Sequence, residues 1–231
     1  MKVEFLNLYK QTSQINKKIY SSIKKNIERS QFINGRDLSL FEREFAKFLN
    51  IKYCLGVGNG TDALEIAIKT LKLRKNSEII VPANTWISTA EAVINNNLNL
   101  KFVDVDKTHN ICTKDLEKRI TQKTSAIIIV HLYGNPANID VILKLCKKKN
   151  IKIIEDCAQS HGAEFKGKKT STFGDISTFS FFPSKNLGGF GDGGCLVTNN
   201  KKYFINAKKI SNHGGLKKNS HLIIGRNSRL D

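Results

Sequence analysis

The stretch IKIIEDCAQSHG, residues 151–162, decides the fold. Ile151, Ile153 and Ile154 make a short β-branched run that ends on Glu155 and Asp156 and opens into a polar loop reaching His161 and Gly162. Such a run reads as a strand covered on both faces, and in an open parallel sheet ligands gather beyond the carboxyl ends of the strands. A carboxylate therefore stands where chemistry is expected. A buried Asp is costly unless paired, and a protonated heterocyclic nitrogen would be a suitable partner for Asp156. His161, further along, reads first as a hydrogen-bonded loop histidine.

Working outward, the same kind of run recurs. Candidate strands are Lys52–Val57, Glu78–Ala83, Lys101–Val105, Ser125–Leu132, Ile151–Glu155, Ser177–Phe182 and Gly194–Thr198. Candidate helices lie between them at Leu38–Asn50, Thr61–Leu73, Thr85–Asn96, Asn138–Asn150 and Lys201–Ser211, opening near polar caps and closing near Asn or basic residues. Alternation of this kind defines an α/β fold with a seven-stranded sheet covered by helices on both faces. No repeat, low-complexity tract or Pro-rich linker interrupts it before about residue 205, so residues 1–205, with an N-terminal helical segment, are expected to form one domain and 206–231 to begin another.

Other strand ends add candidates. Gly58-Asn59-Gly60-Thr61-Asp62 runs straight into a helix, where free backbone N–H groups, the helix dipole and the Thr61 hydroxyl can hold a phosphate; a capped turn explains it equally well. Trp86 opens the next helix, and a core Trp is its simpler reading. In Phe179-Ser180-Phe181-Phe182-Pro183-Ser184-Lys185 the lysine follows aromatic neighbours and precedes a glycine-rich turn. A desolvated lysine with a lowered amine pKa is suited to Schiff-base formation with a carbonyl. Gly191-Asp192-Gly193-Gly194 hands the chain to the last strand.

Composition sets bounds. With 231 residues, 40% of them hydrophobic and 25% charged, the chain can bury a sizeable core. The longest apolar run, Ala126–Val130, is too short to span a bilayer and no leader pattern is present, so a cytoplasmic, membrane-free protein is expected. Five cysteines without CxxC or finger spacing read as free thiols rather than metal ligands. The net charge of +18 raises nucleic acid as a partner, but the basic residues, mostly Lys, are scattered in pairs such as Lys24-Lys25 and Lys217-Lys218 without aromatic interleaving. Solvated surface charge is the preferred account, and nucleic-acid binding is kept only as an alternative.

Together, in this order and at these strand ends, the motifs resemble the DegT/DnrJ/EryC1/StrS sugar aminotransferases, fold-type I pyridoxal-phosphate (PLP) enzymes, from about Phe32 to Asp231. The resemblance implies an aspartate aminotransferase-like large domain with a mostly parallel sheet. It implies Lys185 as the lysine that holds PLP and shuttles protons, Asp156 on the pyridine nitrogen, Gln159 at the O3′ side and Trp86 stacked on the ring. Gly60, Thr61 and Ser180 would hold the phosphate, and Asn227 would reach the phosphate of a partner in a homodimer. L-glutamate would donate the amino group to a nucleotide-linked keto-sugar, in amino-sugar or surface-polysaccharide synthesis. Related dehydratases carry His at the lysine position, so Lys185 favours transamination. His131-Leu132-Tyr133-Gly134 and the glycine-rich turns lean towards 3-keto rather than 4-keto sugars. Members continue well past the motif ending at Asp231, so the small C-terminal domain is largely missing and a catalytically inactive remnant is the alternative.

Overall fold

The computed structural model describes residues 3–217 and 219–230; Lys218 and Asp231, which belong to the basic pairs and the terminal motif, lie outside the described residues. The strands are β1 (Tyr53–Val57), β2 (Glu78–Pro82), β3 (Asn99–Val103), β4 (Thr124–Val130), β5 (Lys152–Asp156), the two-residue β6 (Glu164–Phe165) and β7 (Lys168–Lys169), β8 (Ile176–Ser180) and β9 (Gly194–Thr198). The helices are α1 (Leu8–Ser13), α2 (Asn16–Arg29), α3 (Arg36–Leu49), α4 (Gly60–Leu71), α5 (Ser88–Asn95), α6 (Thr113–Arg119), α7 (Ile139–Lys149) and α8 (Lys201–Ser211).

All seven expected strands form one sheet in the order β1-β9-β8-β5-β4-β2-β3. Pairing is parallel from β8 through β3, and β9 runs antiparallel to both β8 and β1. Because strand side chains alternate, each strand feeds two cores. Ile79, Ile128, Ile154 and Leu196 pack under α4, α5 and α8, while Ile80, Ile127, Ile129 and Ile153 pack against α6 and α7. Phe45 and Leu49 of α3 cover Phe179, Cys195 and Val197 at the other end.

Helix ends follow local chemistry. Asn59 caps α4 by accepting from the Asp62 N–H at 2.7 Å, and Asn50 and Asn150 close α3 and α7 in the left-handed conformation that Asn tolerates. Two elements depart from expectation. The third strand is shifted back to Asn99, and the helix expected from Thr85 opens only at Ser88, leaving Trp86 and Ile87 before it. The unforeseen α6 has seven residues and buries only Leu116. All five cysteines are free. Among the described residues no helix is long and apolar enough to cross a membrane.

Candidate active site

The alternation that builds the cores also sorts the two carboxylates at the end of β5. Glu155 points to the α6–α7 side and Asp156 to the α4–α5 side, where the sheet edge opens into a cleft of about 700 Å³. Gly60, Thr61, Trp86, Asp156, Gln159, Ser180 and Lys185 all line this cleft. Asn227 does not line it; it is exposed and pairs with Asn212.

One wall is the start of α4. A Cβ on Gly60 would stand 2.8 Å from the Ser180 Cβ, so only glycine lets the helix terminus lie against β8. Gly194, entering β9, is pressed on Asn59 in the same way, its Cβ position 2.5 Å from the Asn59 carbonyl. The Thr61 and Ser88 hydroxyls meet at 2.7 Å. Backbone N–H groups at this helix end, with these hydroxyls and Ser180 beside them, could hold an anion.

Opposite, Asp156 is 6% exposed and accepts from the Ala158 N–H at 3.1 Å and the Thr89 hydroxyl at 3.3 Å. Burial pushes its pKa up, against the smaller lowering effect of those two donors. Such a carboxylate is short of a cationic partner. Gln159 is oriented by the tight turn before α7: the Tyr133 N–H, from a residue at φ 57°, donates to its Oε1 at 2.7 Å, which turns the amide nitrogen away as the free donor. Lys185 is half-buried, in a turn closed by its own N–H to the Phe182 carbonyl at 2.8 Å.

Two readings are corrected. Trp86 is not a core residue: it is 73% exposed on the cleft rim, because α5 starts after it and never carries it inward. Among the described residues, none stands in good hydrogen-bond geometry to His161, although Asn186 and the Ser180 backbone are near enough to oppose weakly the effect of burial on its ring. Both its ring nitrogens are buried without a partner, and its ring lies 5.1 Å from Phe179 and 6.0 Å from Phe181; burial lowers its pKa to about 4.

Sequence reasoning missed Thr89, Ser88 and Arg226, all close to the cleft. Thr89 lies one turn after Thr85, a helical spacing that could have pointed to it. Arg226 gave no signal, being remote in sequence; it pairs with Asp62 at 2.6 Å and with Glu65. The hub around Glu155 was also missed. Glu155 is fully buried and accepts from five donors: the N–H groups of Ser171, Phe173 and Gly174, the Ser177 hydroxyl, and His131 Nε2 at 3.1 Å. The Ala137 N–H donates to His131 Nδ1, so the ring proton sits on Nε2. Burial alone would raise the Glu155 pKa, but His131 and the backbone donors outweigh it and hold it low. His131, Glu155 and Cys157 are close enough to suggest a metal triangle, yet both carboxylate oxygens are already engaged.

Fold and site thus define an open α/β chain with a strand-end cleft lined by Lys185, the buried Asp156 and the N-terminus of α4. The chain belongs to the DegT/DnrJ/EryC1/StrS aminotransferase family, whose model matches residues 13–231. It is 39% identical over 230 residues to the UDP-2-acetamido-2-deoxy-3-oxo-D-glucuronate aminotransferase of Pseudomonas aeruginosa, covering 99% of this chain and 64% of that one. Its structure resembles DesV of S. venezuelae, solved in complex with a ketimine intermediate, with a TM-score of 0.96, 34% identity and coverage of 99% and 62%. It also resembles the E. coli GDP-4-keto-6-deoxy-D-mannose-3-dehydratase with bound hydrated PLP, with a TM-score of 0.81, 36% identity and coverage of 84% and 52%. The chain spans less than two thirds of the length of these relatives.

Proposed function

We propose that this chain is the cofactor-holding part of a PLP-dependent aminotransferase acting on a nucleotide-linked keto-sugar, with L-glutamate as amino donor. The observation that carries the reading is that Lys185 and Asp156 line one cleft. The residues fit the cofactor: a buried carboxylate with its pKa raised by burial suits a protonated pyridine nitrogen, and the α4 terminus against Ser180 suits a phosphate. When bound, PLP supplies an electron sink for the carbanion.

The rest falls to the chain. Lys185 Nζ would hold the cofactor covalently and carry the proton between substrate and cofactor carbons. Asp156 would keep the pyridine nitrogen protonated, the Gln159 amide nitrogen would face O3′, and Trp86 would cover the ring. Gly60, Thr61 and Ser180 would grip the phosphate, and Asn227, which is exposed and does not line its own cleft, would serve a partner's phosphate in a homodimer. A lysine at position 185 supports transamination over dehydration. The stretch His131-Leu132-Tyr133-Gly134 and the glycine-rich turns lean towards a 3-keto rather than a 4-keto sugar, with amino-sugar or polysaccharide synthesis as the setting.

With PLP added, the purified chain should show a near-visible band that borohydride fixes onto Lys185, and folded Lys185→Ala should lack it. Turnover of glutamate to 2-oxoglutarate by this chain separates an enzyme from an inactive remnant. Absence of a borohydride-fixed adduct on the folded wild-type chain overturns the reading.

A further inference from the structure

Arg226 has no part in the assignments above, yet it borders the place given to the phosphate. The charged side chains lining the cleft are four carboxylates, Asp62, Glu65, Asp156 and Asp192, against two cations, Lys185 and Arg226. Asp62 and Glu65 belong to the first turns of α4, the helix whose N-terminus is the anion site. Carboxylates there favour the helix but repel an incoming anion, and in a partly buried cleft that repulsion is poorly screened.

Arg226 answers both at once: one guanidinium nitrogen lies 2.6 Å from Asp62 and the other pairs with Glu65. Its backbone is fixed from behind. The Arg226 N–H donates to the Ile210 carbonyl at 2.8 Å, and the His213 N–H donates to the Arg226 carbonyl at 3.0 Å. A Cβ on Gly225 would come within 2.1 Å of the Gly214 nitrogen, so glycine is required for this close approach. The guanidinium is therefore held against the two carboxylates before any ligand arrives, at little ordering cost on binding.

We infer that Arg226 is a positioning residue that neutralises Asp62 and Glu65 and so lets the α4 terminus accept a doubly charged phosphate monoester. The inference rests on the PLP reading. Its signature is selectivity for the phosphate: PLP carries one, pyridoxal does not, and both present the same aldehyde to Lys185.

The test measures equilibrium binding of PLP and of pyridoxal to the full chain, with borohydride-fixed label on Lys185 as the readout. Arg226→Leu should bind PLP at least about tenfold more weakly, with pyridoxal unchanged. Adding Glu65→Gln to Arg226→Leu should restore part of the loss. Should Arg226→Leu fail to fold, Asp62→Asn with Glu65→Gln in the presence of Arg226 should tighten PLP selectively. Equal weakening of PLP and pyridoxal marks a purely structural ion pair and overturns the inference, as does an unchanged PLP affinity in Arg226→Leu or in the double neutralisation. A folded wild-type chain labelled by neither compound overturns the PLP reading and the inference with it.

Discussion

Glu155 and Asp156 are adjacent in the chain and both buried, yet they occupy opposite kinds of environment. On the α6–α7 side Glu155 is enclosed by five donors from three segments, so its charge is matched and its geometry has no freedom left. On the α4–α5 side Asp156 has two donors and a cleft in front of it. A buried carboxylate that is saturated holds the fold together, whereas one left short of partners keeps capacity for a further donor. Burial does not separate these roles; the count of donors does.

The largest effect that can break this comparison is at Glu155. Glu155→Ala strands three backbone N–H groups and His131 in the interior, and should cost about 3–5 kcal/mol in urea-monitored unfolding. A loss below 1 kcal/mol would mean the hub is ornamental. Next comes Asp156→Asn, which keeps the Ala158 and Thr89 neighbours. It should leave the fold intact and slow the glutamate half-reaction, followed by cofactor absorbance, about a hundredfold or more.

The same substitution sharpens the contrast through pH. The folded pKa of Asp156 is raised above its ordinary 3.8, so the folded state binds more protons, and stability falls as pH rises from 3.8 through the folded value. Without cofactor, wild type should lose stability over that window relative to Asp156→Asn; equal pH profiles would contradict the underpaired state. The smallest effect concerns His161, whose pKa is lowered from 6.5 to about 4. The unfolded chain binds the extra proton in that window, so stability should fall as pH drops from 6.5 to 4, by about 1–3 kcal/mol. His161→Phe, which suits the surrounding Phe rings, should abolish that drop in urea midpoints compared at both ends of the window.

Much of this was legible in the residues alone. Strand-length apolar runs ending in polar loops located all seven strands of the main sheet, and the loops after β1, β5 and β8 carried the cleft residues, because position beyond a strand end is a local property of the chain. What failed to show is non-local. Which side of the sheet Glu155 faces is readable, but not that the backbone of Ser171–Gly174 folds onto it. Arg226 meets Asp62 only after the whole sheet has closed. Trp86 was misjudged because apolar size argues for the interior, whereas the late start of α5 keeps the ring outside.

The strand order has one more consequence, for how the molecule is made. β1 pairs with the sheet only through β9, so Val57 has no strand partner until Gly194 has been synthesised. During translation the N-terminal edge and the glycine turn behind it must wait, unpaired, while β2 through β5 can already assemble. The wall that Gly194 forms against Asn59 at the start of α4 is therefore available only once β9 has been made, and a ribosome stopped before it would release a sheet without the strand that joins its N-terminal edge.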